Sequence, residues 1–231
     1  MGTIIEGVQE AVYLITGLDP EILNIISVSL RVTGTALVFA ILIGMPLGTF
    51  LGMVNFPGKK LFTALLYTGM GFPPVVIGLF VFIFFSASGP FGFLNWLFTP
   101  NAIIVAQTII AFPLVAGFVM TAVMEIDRNL LRQMESLGAS RLQLLWTTIK
   151  EARLGSVVAV VAGFGAIISE VGAVMLVGGN IRGRTRVLTT AIVLETRQGR
   201  FGLAIALGII LLTIAFILNI IMINLQEKEI D

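Results

Sequence analysis

The sequence predicts an all-α polytopic membrane protein with five transmembrane helices, its N-terminus outside, its C-terminus inside, and a polar insert between the third and fourth spans. Three observations predict this. Of the 231 residues, 57% are hydrophobic and only 12% are charged, against roughly a quarter in soluble domains. So few charges cannot keep a surface in water, and the solvent must be lipid. Five apolar runs reach the roughly 20 residues needed to cross a hydrocarbon core, and backbone facing lipid must satisfy its own polar groups, which makes the runs helices rather than strands. Lysine and arginine gather in alternate connections, and that asymmetry sets the orientation.

Residues 1–23 have no Lys or Arg and carry Glu6, Glu10, Asp19 and Glu21. A cleavable signal peptide would begin basic, so none is expected. Ile4, Ile5, Val8, Val12 and Ile15 recur at near-helical spacing, which predicts a short amphipathic helix on the membrane surface or against a partner. The membrane domain covers 24–225, with spans at 24–54, 62–86, 101–124, 154–177 and 202–225, and a cytoplasmic tail at 226–231. Lys59 and Lys60, then Arg128, Arg132, Arg141, Lys150 and Arg153, then Lys228 fall on one side, which is therefore cytoplasmic. The outer connection 178–201 runs against the rule with Arg182, Arg184, Arg186, Arg197 and Arg200. Arg31, near the start of span one, is read as snorkelling to the headgroups.

Several chemistries are excluded. There is no Cys and no His, which removes disulfides, thiolate nucleophiles, imidazole metal sites and Ser-His-Asp catalysis. No catalytic or metal-ligating set is expected. The run Gly52-Met-Val-Asn-Phe-Pro-Gly-Lys-Lys60 only superficially resembles a phosphate loop: the spacing is too long by one and Lys60 replaces the Ser or Thr. It reads as a cytoplasmic turn, so the chain has no nucleotide site of its own, and nothing in it points to nucleic acid.

The polar insert, Glu125–Arg153, is too large and too helical to be a mere connection. Leu130, Leu131, Met134 and Leu137 form an apolar stripe, and Gly138 supplies a helix C-terminal signal. Ser140 and Gln143 have capping-box spacing for a second helix carrying Leu142, Leu144, Leu145, Trp146 and Ile149. The expected shape is helix, turn, helix. It either docks a partner or lies as an amphipathic hairpin on lipid.

Within the spans, Pro73 and Pro74 lie close to Gly69, Gly71 and Gly78, and Pro113 lies in span three. Each proline frees a carbonyl, so it marks either a kinked helix lining a path near a gate or a packing kink. Glu170, beside Ser169, is the only acid expected deep within a span and is therefore a functional candidate. A structural or gate-forming hydrogen bond is preferred to contact with an anion, which it would repel. Neighbouring Gly163, Gly165 and Gly172 allow close helix approach. The stretch Val187–Leu194 is expected as a short re-entrant or interfacial helix. The guanidinium groups around it suit oxyanions or an acidic protein face; Arg182, Arg184, Arg186 and Arg197 are read as an oxyanion funnel or a docking surface.

These residues resemble a family. Met134-Glu-Ser-Leu-Gly-Ala-Ser-Arg141 is similar to the coupling-helix motif of type I ABC importer permeases, which runs Glu-Ala-Ala, Gly, Ile-x-Leu-Pro. Gly138 matches the central Gly, while Arg132, Gln133 and Met134 stand where Glu-Ala-Ala is usual and Glu151 stands at the Pro. Phe72-Pro-Pro-Val-Val-Ile-Gly-Leu79, Ala106-Gln-Thr-Ile-Ile-Ala-Phe-Pro113, Met124-Glu-Ile-Asp127, Ser169-Glu-Val-Gly-Ala173 and Gly179-Asn-Ile-Arg-Gly-Arg-Thr185 resemble the molybdate/tungstate branch, in order, across nearly the whole chain. Ser169, Val171 and Arg182 differ from the usual molybdate pattern, and the two stretches Ser169–Met175 and Thr185–Thr196 resemble the tungstate subgroup.

The resemblance implies the permease subunit of an ATP-driven importer in a prokaryotic cytoplasmic membrane. Its substrate would be tungstate, with molybdate or sulfate as alternatives. It implies a homodimer, two cytoplasmic ABC ATPase subunits that hold ATP and Mg, and an external substrate-binding protein. Arg132, Glu135, Ser136, Leu137, Gly138, Ala139, Ser140 and Arg141 would couple to the ATPase. Pro73, Pro74, Gly78, Pro113, Ser169 and Glu170 would form the pore or gate. An ion-coupled secondary transporter and a non-transporting membrane scaffold are the rival readings.

Overall fold

The computed structural model describes residues 8, 9, 12, 13, 17 and 19–227, without the side chains of Arg128, Arg141, Ile223 and residues 225–227. The described residues form ten α-helices and no strand. These are α1 (Pro20–Met53), α2 (Lys59–Met70), α3 (Pro74–Phe85), α4 (Pro100–Met124), α5 (Arg128–Ser136), α6 (Arg141–Glu151), α7 (Arg153–Ile168), α8 (Gly172–Gly178), α9 (Leu188–Arg197) and α10 (Phe201–Glu227). The amphipathic helix expected from Ile4, Ile5 and Ile15 lies outside the described residues, as does Lys228.

The bundle is built around α4, which is buried along most of its length. Its principal partner is α1, and the two run parallel. Gly44 faces Val115, Gly48 faces Ala116 and Val119, and Gly52 faces Val123. A Cβ on Gly48 would stand 2.4 Å from the Ala116 carbonyl oxygen, so the small-residue repeat is what lets the backbones meet. α7 crosses the other side of α4, with Gly163 against Val115 and Gly155 against Ala122. Gly165 meets nothing within 4 Å, so of the glycines expected to allow close approach it does not.

Two spans expected as single helices are broken. α2 and α3 are bent by 99°. Pro73 has no N–H to continue α2 and Phe72 before it is pushed out of the helical region, while Pro74 sits comfortably in the first turn of α3. The fourth span stops at Ile168 and resumes at Gly172 as α8. Glu170 is therefore at a helix break rather than inside a span helix. Only α1, α4 and α10 among the described helices are long and apolar enough to cross by themselves; counting the bent pairs α2–α3 and Leu142–Glu151 with α7 brings the total up to five. α1 begins at Pro20, capped by the Asp19 carboxylate, four residues before the expected start. At 1.5 Å per residue it is about 50 Å long, longer than a hydrocarbon core.

The chain has two distinct ends. At one, the insert end, lie Met53, Lys59, Met124, α5 and α6. At the other, the arginine end, lie Asp19, the loop 86–99 and residues 179–187. There Phe98 N–H donates to the Val177 carbonyl at 2.9 Å, and Phe85 stacks on Trp96, an aromatic layer of the kind that sits at a membrane interface. Between the ends, Leu42, Phe80, Leu212 and Phe216 are exposed. Such apolar surface is stable only under lipid or another protein.

Candidate functional site

Two helix breaks face each other in the middle of the bundle. Gly78 of α3 lies against Ala173 of α8, where a Cβ would stand 2.6 Å from the Ala173 Cα, and Gly172 lies against Val75. The Pro73–Pro74 break and the Ser169–Glu170 break are thus neighbours. Glu170 is half-buried, and its carboxylate oxygen accepts the Ala173 N–H at 2.8 Å, satisfying a donor that the start of α8 leaves open. The Thr189 hydroxyl donates to the Glu170 carbonyl oxygen at 2.9 Å. Ser169 is exposed and donates to the Gly165 carbonyl oxygen at 2.8 Å. Pro113 is buried elsewhere, against Gly69 near the end of α2, and is not part of this cluster.

Gln107 of α4 completes the break. It is 2% exposed, and its amide donates to the Ile167 carbonyl oxygen at 3.0 Å, in the last turn of α7. Its Oε1 is buried and without a hydrogen-bond partner among the described residues. Sequence reasoning did not single out Gln107, although the signal was present: a lone amide in an otherwise apolar span is costly unless it has a task.

The segment 179–200 enters the bundle and returns to the same end. Arg182 pairs with Glu21 at the start of α1, whereas Leu188 N–H donates to the Ser29 hydroxyl at 2.8 Å, about 12 Å further along α1. α9 then climbs back to Arg200, whose guanidinium pairs with buried Glu195. Thr185, fully buried, holds the turn: it donates to the Gly178 carbonyl at 2.6 Å and accepts the Ile181 N–H at 2.9 Å. The helix expected at Val187–Leu194 is present as α9 and is re-entrant.

The arginines of the segment 179–200 divide. Arg182 Nε donates to Glu21 Oε1 at 2.8 Å and its Nη2 pairs with Oε2, while Arg186 Nη1 donates to Oε1 at 3.3 Å. The hydrogen bond and charge of Glu21 hold Arg182 above its ordinary pKa. These groups line a cavity of about 410 Å³. Arg184 and Arg197 are exposed and make no ion pair among the described residues.

At the insert end, α5 closes with Gly138 at φ 86°. Gly138 N–H donates to the Glu135 carbonyl oxygen and Ala139 N–H to that of Met134, both at 3.0 Å, the Schellman arrangement that a left-handed glycine allows. The capping box forms as the spacing predicts: Gln143 N–H donates to the Ser140 hydroxyl at 3.3 Å, and Ser140 N–H to Gln143 Oε1 at 2.7 Å. Buried Thr148 and Ala152 seat α6 on the bundle. α6 meets α7 at a bend of 63°. Arg132, Glu135 and Ser136 are exposed around the turn. Leu137 is 88% exposed, Leu142 75% and Trp146 60%; Leu137 and Trp146 rim a shallow cavity of about 390 Å³. Exposed apolar groups on a polar element mark a surface that meets either another protein or a membrane.

Comparisons with known proteins agree with this architecture. Over 94% of its length the chain superposes on 82% of a chain in a bacterial ABC transporter involved in import of the acidic polysaccharide alginate, with TM-score 0.76 and 21% identity. It is 42% identical over 99% of its length to the whole of the tungstate uptake system permease protein TupB of Peptoclostridium acidaminophilum. It is 36% identical over 94% of its length to 91% of TupB of Campylobacter jejuni. Residues 44–229 match the family described as the inner membrane component of binding-protein-dependent transport systems, and the chain belongs to that family.

Proposed function

We propose that this chain is the permease subunit of an ATP-driven importer for an oxyanion, tungstate first. The observation that carries the substrate is the 42% identity to a tungstate uptake permease across 99% of the chain. Molybdate and sulfate are the alternatives within the same class, since tetrahedral dianions differ little in the recognition they offer. The orientation is N-terminus out, with the insert in the cytoplasm, following the lysines and arginines. Each broken segment counts as one span, which makes five.

In this reading two copies pair to enclose one path, lined near its middle by the facing breaks at Pro73–Pro74 and Ser169–Glu170. A helix break is tolerated at membrane depth only where protein or a water-filled path meets the freed groups. The exposed apolar cup at Leu137 and Trp146 receives a cytoplasmic ATPase subunit, which holds ATP and Mg. Its closure pushes α5–α6, and α6 passes the motion to α7 across a single bend. Substrate arrives from an external binding protein at the arginine end. The chain itself makes and breaks no bonds.

The test is uptake of labelled tungstate by proteoliposomes containing the permease, the ATPase subunit and the binding protein. ATP-dependent uptake without an ion gradient is expected, competed by molybdate and sulfate according to the binding protein. Uptake driven by an ion gradient in the absence of the ATPase would make the chain a secondary transporter instead.

A further inference from the structure

Arg182 and Arg186 share one carboxylate as their ion-pair partner, and the match is incomplete in donors and in space. Asp19 also lines the cavity; its carboxylate accepts the N–H groups of Glu21 and Ile22 at the start of α1, and its charge still acts on Arg182. Glu195 forms an ion pair with Arg200, and its buried Oε2 has no hydrogen-bond partner among the described residues. Arg186 Nε is buried and has no hydrogen-bond acceptor among the described residues. The cavity of about 410 Å³ is much larger than one carboxylate fills.

We propose that Arg182 and Arg186 form an external oxyanion-binding site and that Glu21 is its built-in competitor. A tetrahedral dianion brings two negative charges where Glu21 brings one, and four acceptor oxygens in place of two. One of those oxygens can take the free Arg186 Nε–H, in the forked geometry that guanidinium offers. Glu21, with its side chain 36% exposed, swings to water when displaced and returns when the ion leaves. The competitor keeps the site weak, so an anion is held briefly on the outer face and released rather than trapped. The ligand class rests on the reading of the chain as an oxyanion permease.

The experiment is equilibrium binding of tungstate to the assembled transporter in nanodiscs, without nucleotide and without the binding protein. Glu21→Gln is expected to bind tungstate at least about tenfold more tightly than the unaltered chain. Arg186→Gln added to Glu21→Gln is expected to abolish that gain, and sulfate and molybdate to compete where chloride at equal ionic strength does not. Equal affinity in Glu21→Gln and the unaltered chain overturns the proposal, as does a gain that survives Arg186→Gln. Should Glu21→Gln fail to assemble, tungsten anomalous scattering from the unaltered protein in tungstate decides. A peak between Arg182 and Arg186 supports the site, and no peak there overturns it. Uptake is read separately: Glu21-sensitive binding without ATP-driven uptake would keep the site and sink the importer reading, and the reverse would sink only the site.

Discussion

At the insert end, Leu137, Leu142 and Trp146 are exposed on two short helices. At the arginine end, Arg182 and Arg186 share the Glu21 carboxylate, Arg200 pairs with Glu195, and Thr185 is sealed inside its turn. Both are polar segments at the rim of an apolar bundle. One leaves apolar groups for something else to cover, while the other closes most of its polar groups on itself. The insert holds its shape through local backbone capping and meets the bundle mainly through α6. The segment 179–200 holds its shape through ties to α1, to the Glu170 carbonyl between α7 and α8, and to the end of α8.

Five outcomes test that contrast. The largest is expected for Gly138→Val. Valine at φ 86° is strained by about 1–2 kcal/mol, and the distorted turn should uncouple ATP hydrolysis from uptake while the spans insert normally. Intact coupled uptake in proteoliposomes would remove the docking role of the turn. Next, Gly78→Leu drives a side chain into the Ala173 backbone. A loss of about 1–3 kcal/mol or more should appear as a lower unfolding temperature in detergent; an unchanged midpoint would mean that the two breaks can separate freely.

Thr185→Val is third. It strands the buried Gly178 carbonyl oxygen and removes the acceptor of the Ile181 N–H, at about 1–3 kcal/mol. The signature is faster hydrogen exchange confined to 178–190, and uniform exchange would mean the re-entrant turn does not depend on its threonine. Trp146→Ala follows. The exposed ring supports nothing in the bundle, so stability should hold while affinity for the ATPase subunit falls about tenfold; co-purification yield and unfolding temperature separate the two. The smallest effect belongs to Arg184→Gln. Stability should stay within about 0.5 kcal/mol, and only the salt dependence of binding-protein association should weaken.

The insert was legible almost residue by residue. Its turn and capping box depend on contacts between neighbours in sequence, and Gly138, Ser140 and Gln143 carry them with no help from the bundle. The spans were legible as apolar runs, but their breaks were not fully so. The proline pair announces a disturbance in the second span, yet a 99° bend exceeds the kink that prolines alone imply. In the fourth span nothing in Ile168-Ser-Glu-Val-Gly172 breaks a helix by propensity alone. That break is sustained by distant groups, Gln107 on the Ile167 carbonyl and Thr189 on the Glu170 carbonyl. Glu170 therefore reads from sequence as a buried charge and turns out to cap the short helix α8.

The arginines of the segment 179–200 behave in the same way. Their number was plain, and their chemistry suits oxyanions or acidic partners. Arg200 finds Glu195 five residues away, but Arg182 and Arg186 depend on Glu21, 161 residues away from Arg182, and no local pattern predicts that pair. The membrane setting, the helical class and the form of the insert follow from local sequence, because hydropathy, backbone satisfaction in lipid and helix capping all act over a few turns. The tertiary structure alone decided where the spans break, which polar groups close those breaks and which arginines remain exposed without an ion pair. Each of those depends on hydrogen bonds and ion pairs between elements that only the folded bundle brings together.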